Sequence, residues 1–256
     1  MTPGAGDGDP TRVSIVVIAR DEADAIVAVL DRVCDSVTVA FEVLVVYDDP
    51  GDTTAPAVAA YGDGRVRGVL NGLGPGPAWA IRAGMAAAKA DVVVVTMADG
   101  SDDVGLVDSM CRLVERGCAV VAASRYMPGG AQVGGPMVKS ALSRTAGLVL
   151  CWLARVGTHD ATNSFKAYSV AFLDEVGVHS DAGFEIGLEL VAKARRLRLP
   201  VAELPTIWLE RRTGQSRFKV VEWLPRYLRW FRFAFGPALS VEQVRARAAG
   251  AGSPPE

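Results

Sequence analysis

The sequence predicts an α/β fold in which a mostly parallel sheet carries helices on both faces. Apolar, β-branched runs alternate with amphipathic runs through the first half of the chain, as expected for strands joined by crossover helices. The apolar runs are short and continuous, which is typical of parallel strands buried on both faces. Acidic residues follow three of these runs, where the carboxyl ends of parallel strands open onto a ligand.

The elements follow one another in a regular order. Strands are predicted over 13–19, 42–47, 65–70, 91–98 and 118–124, with helices over 21–37, 53–61, 77–90 and 103–116 between them. A glycine-rich loop at 127–136 precedes an apolar helix over 138–156, an irregular stretch at 158–169, a helix at 183–196 and a strand at 201–210.

Composition limits the class of protein. The chain has 256 residues, of which 50% are hydrophobic, so it can bury one large core. A net charge of −2 argues against a nucleic-acid binder, which would need many cations to neutralise phosphates. The 4 cysteines form no Cys-x-x-Cys pair and only 2 histidines are present, so we expect reduced thiols rather than a zinc site.

The ends of the chain and its membrane relationship are also predicted. The polar N-terminus lacks a secretory signal pattern, and no apolar run approaches the roughly 20 residues of a spanning helix. We therefore expect a cytoplasmic protein, soluble or peripheral on the cytoplasmic face of a membrane. We expect disorder over 1–11 and 241–256, one domain over 12–217, and an amphipathic helical region over 218–240.

The segment 218–236 is basic and aromatic. Seven apolar side chains recur there at helical spacing: Val220, Val221, Leu224, Tyr227, Leu228, Phe231 and Phe235. Arg226, Arg229 and Arg232 recur on a neighbouring face. Such a helix can lie in a membrane interface, or its apolar side can pack on the domain or on a second subunit of a homo-oligomer. Both interpretations stay open at this point.

Carboxylates cluster after the first, second and fourth predicted strands. The three clusters comprise Asp21 and Glu22; Asp48, Asp49 and Asp52; and Asp99, Asp102 and Asp103. Singly, several of these residues occupy positions suited to helix caps. Together, at one edge of a sheet, they can accept hydrogen bonds from a nucleoside and hold a divalent ion against a diphosphate.

A dinucleotide-binding oxidoreductase is a poorer interpretation. The glycine-rich run at 71–84 follows the third strand instead of the first, and Pro75 and Pro77 remove N–H donors that a phosphate loop would use. The sequence also contains no Gly-x-x-x-x-Gly-Lys-Ser/Thr run, which argues against a P-loop enzyme.

Several ordered motifs resemble those of family 2 glycosyltransferases, in particular the dolichyl and polyprenyl phosphate mannosyl- and glucosyltransferase branch. The motifs are DEADAI, VVYDDPGDTT, NGLGPGPAWAIRAG, MADGSDD, ASRYMPGG, DATNSFKAY and RRTGQSRF, between about residues 13 and 219. The resemblance implies a GT-A fold, a nucleotide-sugar donor and Mg²⁺ or Mn²⁺.

The resemblance also implies roles for individual residues. It implies donor contacts at Glu22, Asp48, Asp49, Asp99 and Ser101, and metal contacts at Asp99 and Asp102. Asp99, Arg125, Arg211 and Arg217 are the implied catalytic residues, and Lys139, Ser143, Arg144 and Lys166 the implied acceptor contacts. Met97 stands where the family's Asp-x-Asp pair begins, so one metal contact is missing, and Arg20 replaces an aromatic residue of the first motif.

The function that follows is inverting transfer of a hexose, from a donor of the GDP-mannose or UDP-glucose type, to a polyprenyl phosphate. A phosphate acceptor is already ionised near neutral pH and needs little general-base help, whereas a hydroxyl acceptor would need a carboxylate such as Glu185 or Asp160. His159 is interpreted as an exposed loop residue. The alternatives are a soluble small-molecule acceptor, such as a natural-product scaffold, and a sugar-nucleotide binder without catalysis.

Overall fold

A computed structural model of the chain describes residues 10–210 and 220–250. The strands are β1 (Val13–Ile18), β2 (Phe41–Tyr47), β3 (Val66–Leu70), β4 (Val92–Met97), β5 (Val120–Ser124), β6 (Ala131–Val133), β7 (Lys166–Ser169), β8 (Val201–Pro205) and β9 (Ile207–Leu209). The α-helices are α1 (Ala23–Ser36), α2 (Thr54–Ala60), α3 (Pro77–Ala87), α4 (Val107–Glu115), α5 (Met137–Val149), α6 (Val170–Val176), α7 (Ile186–Leu197), α8 (Val220–Ala234) and α9 (Val241–Gly250). A 3₁₀ turn, Val104–Leu106, precedes α4, and a π-helical turn, Leu150–Ala154, extends α5.

The predicted alternation of strands and helices is confirmed through β5. In the described residues the main sheet has seven strands in the order β3-β2-β1-β4-β7-β5-β8. Strand β1 pairs in parallel with β2 and β4, so that Ile18 lies opposite both Val46 and Met97. The ends of these strands therefore meet at one edge of the sheet.

The second half of the sheet differs from the prediction in two places. The stretch predicted to be irregular contains β7, which lies antiparallel between β4 and β5, and then α6. The strand predicted over 201–210 breaks at Thr206: β8 pairs with β5, whereas β9 pairs with β6 in a separate two-stranded sheet. These pairings join segments far apart in sequence, so local patterns could not predict them.

Two apolar cores cover the two faces of the sheet. Alternate residues of β1 separate between them: Ile15 and Val17 contact the core under α1 and α4, and Val16 and Ile18 contact the core under α3 and α7. Burial of one such side chain contributes about 1.5–3 kcal/mol, and all of β1 is buried. This explains why the strand carries no solvent-facing alternation.

The C-terminal helices pack on the domain. Trp230 of α8 is 1% exposed, and its Nε1 donates to Ser180 Oγ at 3.0 Å. The guanidinium of Arg196, on α7, donates to the carbonyls of Phe233 and Phe235 at 2.7 and 2.9 Å. The packing interpretation therefore holds for the second half of α8, although Leu224 and Leu228 stay exposed.

The prediction of a disordered tail from residue 241 is wrong for 241–250, which form α9. Val244 and Ala248 are fully buried, and Arg245 donates to the carbonyls of Glu175 and Asp174 at 2.6 and 2.9 Å. This helix is short and weakly amphipathic, so its stability comes from tertiary contacts. The predicted disorder over 1–9 and 251–256 falls outside the described residues.

Three further expectations can be compared with the structure. All four cysteines are free thiols. Across the described parts of the chain, no helix combines the length and apolarity that crossing a bilayer requires. His159 is not a simple exposed residue, because its Nδ1 lies 2.6 Å from Glu203 Oε1 on β8.

Candidate active site

The acidic strand ends lie together at the carboxyl edge of the sheet, as predicted. After β1, the chain turns through Asp21, which has a left-handed φ of 55°, into Glu22 at the start of α1. The backbone N–H of Asp21 donates to both carboxylate oxygens of Asp52, at 3.1 and 3.2 Å. Asp52 Oδ1 also accepts from Thr54 N at 2.8 Å. Asp52 therefore ties the two loops together and opens α2, while Glu22 stays half-buried at the edge.

The second cluster divides into a structural and an accessible carboxylate. Asp48 accepts from Asn71 Nδ2 at 2.7 Å with one oxygen and from Gly76 N at 2.9 Å with the other. Both of its oxygens thus hold the 71–76 loop, and any donor contact through Asp48 would compete with these bonds. Asp49 is exposed, and among the described residues only its Oδ1 accepts a hydrogen bond, from Gly51 N at 2.7 Å. Asp49 is therefore the better placed of the two to contact a nucleoside.

The loop after β4 carries the third acidic cluster, and hydrogen bonds hold this loop in place. Asp99 Oδ1 accepts from Ser101 N at 3.0 Å, and Ser101 itself is buried. Arg32 of α1 donates to the carbonyls of Gly100 and Asp102 at 2.9 and 2.5 Å. This role of Arg32 could not be predicted from the sequence, in which Arg32 has the pattern of an ordinary helix-surface arginine. Its effect is to fix the loop that presents Asp99.

Asp102 is buried behind Asp99. Its Oδ2 accepts from Thr96 Oγ1 at 2.9 Å and from Met97 N at 3.2 Å. Burial raises the pKa of Asp102 to about 7, and the negative charge of Asp99 adds to the rise. A buried carboxyl whose ionisation is disfavoured by a neighbouring carboxylate forms an environment in which a cation is stabilising.

The donor set fits a divalent metal only in part. Within residues 10–210 and 220–250, no group of three or more His, Cys, Asp or Glu side chains could hold an ion. Asp99 Oδ2 accepts no hydrogen bond from the described residues, and it is a hard oxygen ligand next to Asp102. Mg²⁺ and Mn²⁺ are commonly held by one or two carboxylates with the remaining ligands from water and nucleotide phosphates. Two carboxylates are enough for that arrangement.

A cationic side faces these carboxylates. Arg125 follows β5 and makes a two-pronged ion pair with Asp160: Nε lies 2.7 Å from Oδ2 and Nη2 lies 2.9 Å from Oδ1. Burial alone would raise the pKa of Asp160, but the hydrogen bonds and charge of Arg125 outweigh it, and the pKa is lowered. Asp160 therefore stays ionised and orients Arg125.

Ser143 connects this ion pair to α5. Its Oγ lies 3.2 Å from Arg125 Nη2, 3.1 Å from Tyr126 Oη and 2.7 Å from Thr162 Oγ1. Sequence reasoning did not single out Tyr126 or Thr162, although both lie inside the quoted motifs. Arg144 is exposed beside Ser143, whereas the side chain of Lys139 lies outside the described part of α5.

The position of Lys166 contradicts the acceptor contact that was expected of it. Lys166 lies on β7, is fully buried, and donates from Nζ to the carbonyl of Asn163. Burial lowers its pKa to about 7. The antiparallel insertion of β7 between β4 and β5 places this lysine beneath the site, where an acceptor would not reach it. Its charge acts on Asp160 and Asp102 from within.

The two remaining catalytic candidates, Arg211 and Arg217, fall outside the described residues. The chain that leads to them is well placed: Leu209 N donates to the carbonyl of Ser101 at 3.2 Å, and Glu210 N to that of Val133 at 3.0 Å. The described chain before these residues thus ends beside the Asp99 loop.

Neither alternative carboxylate base is open to a substrate. Asp160 is committed to Arg125, as described above. Glu185 is 1% exposed and accepts from the backbone N–H groups of Ala182 and Gly183 at 3.3 and 2.9 Å. Burial raises the pKa of Glu185. Both residues therefore shape loops.

The fold and the family match define the class, a glycosyltransferase of the GT-A type. Glucosyl-3-phosphoglycerate synthase from Mycobacterium tuberculosis, solved with Mn²⁺, UDP-glucose and phosphoglyceric acid, has the same fold, with a TM-score of 0.66 at 18% identity. That alignment covers 90% of this chain and 82% of the synthase. The glycosyl transferase family 2 profile matches residues 14–177. The chain belongs to glycosyl transferase family 2.

Two relatives align over nearly the whole chain. Polyprenol monophosphomannose synthase from Mycolicibacterium smegmatis is 29% identical, over 86% of this chain and 91% of the relative. Undecaprenyl-phosphate mannosyltransferase from Micrococcus luteus is 27% identical, over 92% of this chain and 98% of the relative.

Proposed function

We propose that this glycosyltransferase moves a hexose from a nucleotide sugar to a polyprenyl phosphate, with inversion at the anomeric carbon. The observation that carries the proposal is the placement of Arg125 across the same sheet edge from Asp99 and Asp102. Arg125 is close enough to Asp102 for its charge to oppose the rise of that carboxyl's pKa. One edge of the sheet thus offers carboxylates, Asp99 and Asp102, for a metal-bound diphosphate, and a cation, Arg125, for a phosphate acceptor.

The chemistry of the acceptor side favours a phosphate nucleophile. A phosphate monoester is ionised at neutral pH, so transfer depends on positioning and charge stabilisation rather than on proton removal. The two carboxylates that could serve as a base, Asp160 and Glu185, are occupied by Arg125 and by backbone N–H groups. An arginine held rigidly by a buried carboxylate suits the recognition of a phosphate oxygen.

The donor side is proposed to use Asp49 and Glu22 for the nucleoside and the Asp99 loop for the diphosphate. A bound Mg²⁺ or Mn²⁺ would neutralise charge on the leaving diphosphate. Asp99 and Asp102 would hold it, and Arg32 would keep their loop in place. Arg211 and Arg217 are proposed to contact the diphosphate; in support, Leu209, two residues before Arg211, donates from its backbone N–H to the carbonyl of Ser101 in the Asp99 loop.

Access to a lipid acceptor is supported by α5. Met137, Val138 and Leu142 are 86%, 75% and 57% exposed, and they lie on the helix whose Ser143 contacts Arg125. An apolar surface next to a phosphate-binding arginine fits an acceptor with an apolar tail and a charged head. Peripheral contact with the membrane surface is part of the proposal. The names of the two mannosyl-transferring relatives support the acceptor class and, for the sugar, mannose.

Transfer of label tests the proposal directly. GDP-[¹⁴C]mannose and UDP-[¹⁴C]glucose are each incubated with undecaprenyl phosphate and Mg²⁺ or Mn²⁺, and the product is extracted into butanol. We expect label in the organic phase from one donor, and a loss of about 100-fold or more in Asp99→Asn, as for loss of one charge-stabilising group.

Asp103→Asn is the matched control because Asp103 lies in the same loop but is exposed. Among the described residues its side chain only caps the 3₁₀ turn, by accepting from Gly105 N at 3.2 Å. An asparagine can keep that bond, so the rate should change less than about two-fold. Release of nucleoside diphosphate without label in butanol, stimulated by a soluble phosphate ester or alcohol, would contradict the lipid acceptor. It would favour the soluble alternative.

A further inference from the structure

A cationic hollow lies at the end of the sheet opposite to the active site. It has a volume of about 230 Å³ and is lined by the arginines Arg155, Arg195 and Arg198 together with Val156, Leu199 and Val201. Val201 is the first residue of β8 and pairs with Val120, whereas Pro205, at the last residue of β8, pairs with Ser124 next to Arg125. The hollow and Arg125 are therefore at opposite ends of the same strand pair.

Among the residues that the structure describes, no acidic side chain lines this hollow: its lining contains three arginines and no Asp or Glu. Arg195 is fixed by a bond of 2.5 Å from Nε to the carbonyl of Ala154. Within the described ranges, Arg155 and Arg198 make no hydrogen bond or ion pair through their side chains. Three guanidinium groups of one sign around a concave surface form an electrostatic site for an anion.

The backbone at two of the three arginines is in a conformation that favours glycine. Three non-glycine residues of the described chain have positive φ, and two of them are Arg155 at 57° and Arg198 at 59°. A left-handed non-glycine residue costs about 1–2 kcal/mol. Glycine would remove this cost at both positions, so arginine stands there against the preference of the backbone. Such strain is a pointer to a function of the side chain.

Helix-dipole compensation explains only part of this cluster. Arg195 and Arg198 lie at the C-terminus of α7, where cations are favourable. Arg155 is likewise the C-terminal cap of another helical segment, formed by α5 and its π-helical turn. The helix dipoles favour each cation at its own position, but they do not explain why two separate helix ends bring three arginines to one hollow.

We propose that this hollow binds a phosphate group, at a site separate from the transfer reaction. Guanidinium groups bind phosphate oxygens through paired N–H donors, and three of them suffice for a doubly charged phosphate. Trp152 and Leu153, which lie in the π-helical turn directly before Ala154, are 70% and 71% exposed. The phosphate can thus belong to a soluble phosphate or to the headgroup of an anionic lipid on which these side chains rest.

Equilibrium dialysis with ³²P-labelled inorganic phosphate tests the site on the full-length protein. We expect the double variant Arg155→Gln, Arg198→Gln to bind one phosphate fewer per chain than the unchanged protein. Arg112→Gln, Arg116→Gln is the matched control. It removes the same charge from two exposed arginines, one on α4 and one directly after it, that do not line the hollow, and should bind phosphate like the unchanged protein.

A vesicle assay separates the two sources. Vesicles of phosphatidylcholine with and without phosphatidylglycerol are floated with each protein. If the double variant also loses retention on phosphatidylglycerol, the source is the lipid headgroup; if only inorganic phosphate binding falls, it is a soluble phosphate. Loss of vesicle retention alone also supports the headgroup. Equal behaviour of the double variant and the unchanged protein in both assays overturns the proposal.

Folding is controlled by a second pair of substitutions. Arg155→Gly, Arg198→Gly removes the same charges and suits the left-handed backbone, so this variant should melt no lower than the unchanged protein. It should show the same loss of phosphate. Transfer to the lipid acceptor is expected to be unaffected with soluble donor and detergent-dispersed acceptor, which separates this site from the proposed catalytic one.

Discussion

The guanidinium of Arg125 and the carboxylate of Asp160 form a two-pronged ion pair, with N–O distances of 2.7 and 2.9 Å, inside the site. Asp160 is completely buried and Arg125 nearly so. The pair joins the end of β5 to the loop before β7, and through Ser143 it reaches α5. A single buried carboxylate thus positions the main cation of the described acceptor side.

Asp160→Asn should therefore lower both activity and stability. Removing one partner leaves Arg125 buried with its charge unpaired, which costs about 3–5 kcal/mol. We expect a fall in the free energy of unfolding of that order in a urea titration, and a fall in kcat for transfer of at least about ten-fold. Arg125→Lys keeps the charge but loses the fork, so it should retain more stability than Asp160→Asn while still losing rate. Unchanged kcat in both would argue against a role of the pair in positioning.

Gly147→Ala should displace α5 from the site. A Cβ at Gly147 would lie 2.2 Å from the carbonyl oxygen of His159, a backbone atom that cannot swing away. Overpacking of this kind costs about 1–3 kcal/mol. We expect a lower melting temperature together with a raised KM for the acceptor, because Ser143 and Arg144 move with the helix. Gly64→Ala is the control, since a Cβ there meets nothing within 4 Å. An acceptor KM equal to that of the control would contradict the prediction.

Glu189 should make stability depend on acid pH. Burial opposes its ionisation, but hydrogen bonds involving His179 and the charge of Lys193 outweigh burial and lower its pKa to about 2. The carboxylate is thus harder to protonate in the folded chain than in the unfolded chain, so the unfolded chain binds more protons between pH 4.5 and 2. The stability contribution, about 3 kcal/mol, is present above pH 4.5 and lost as pH falls towards 2.

Urea titrations at several pH values measure this effect. Glu189→Gln should be less stable near neutral pH, because Lys193 is left buried without its carboxylate, and its stability should vary less between pH 4.5 and 2. Glu175→Gln, at an exposed position, is the control and should follow the unchanged protein. A parallel decline of Glu189→Gln and the unchanged protein would disprove the assignment.

Trp230→Ala should release α8 from the domain. The indole fills a buried site, lies over Lys193 Nζ at 5.4 Å and donates to Ser180. Replacement by alanine leaves a cavity that costs about 3–5 kcal/mol. We expect faster proteolysis within α8, followed by mass spectrometry, with little change in the cleavage of residues 13–124. Leu228→Ala, at a half-exposed position of the same helix, is the control.

Much of the fold follows from local patterns. Continuous β-branched runs predict β1, β2 and β4, because a strand buried on both faces is apolar at every position. An apolar stripe predicts α1, because burial of one helix face places apolar residues at the helical period. The acidic strand ends could also be predicted, because parallel strands bring their carboxyl ends to one edge whatever the details of packing. Asp99 could be identified as a candidate site residue from the sequence alone.

Other features depend on contacts between distant segments and leave no local period. β7 has four residues and no alternation, so only its pairing with β4 and β5 defines it, and that pairing buries Lys166 beneath the site. α9 is helical because Val244 and Ala248 reach α6 and α7. The sequence alone determined the class of fold and the edge where the chemistry lies. Tertiary packing decided which side chains face a substrate and which hold loops in place. The reason is that burial and hydrogen-bond partners are properties of the folded chain.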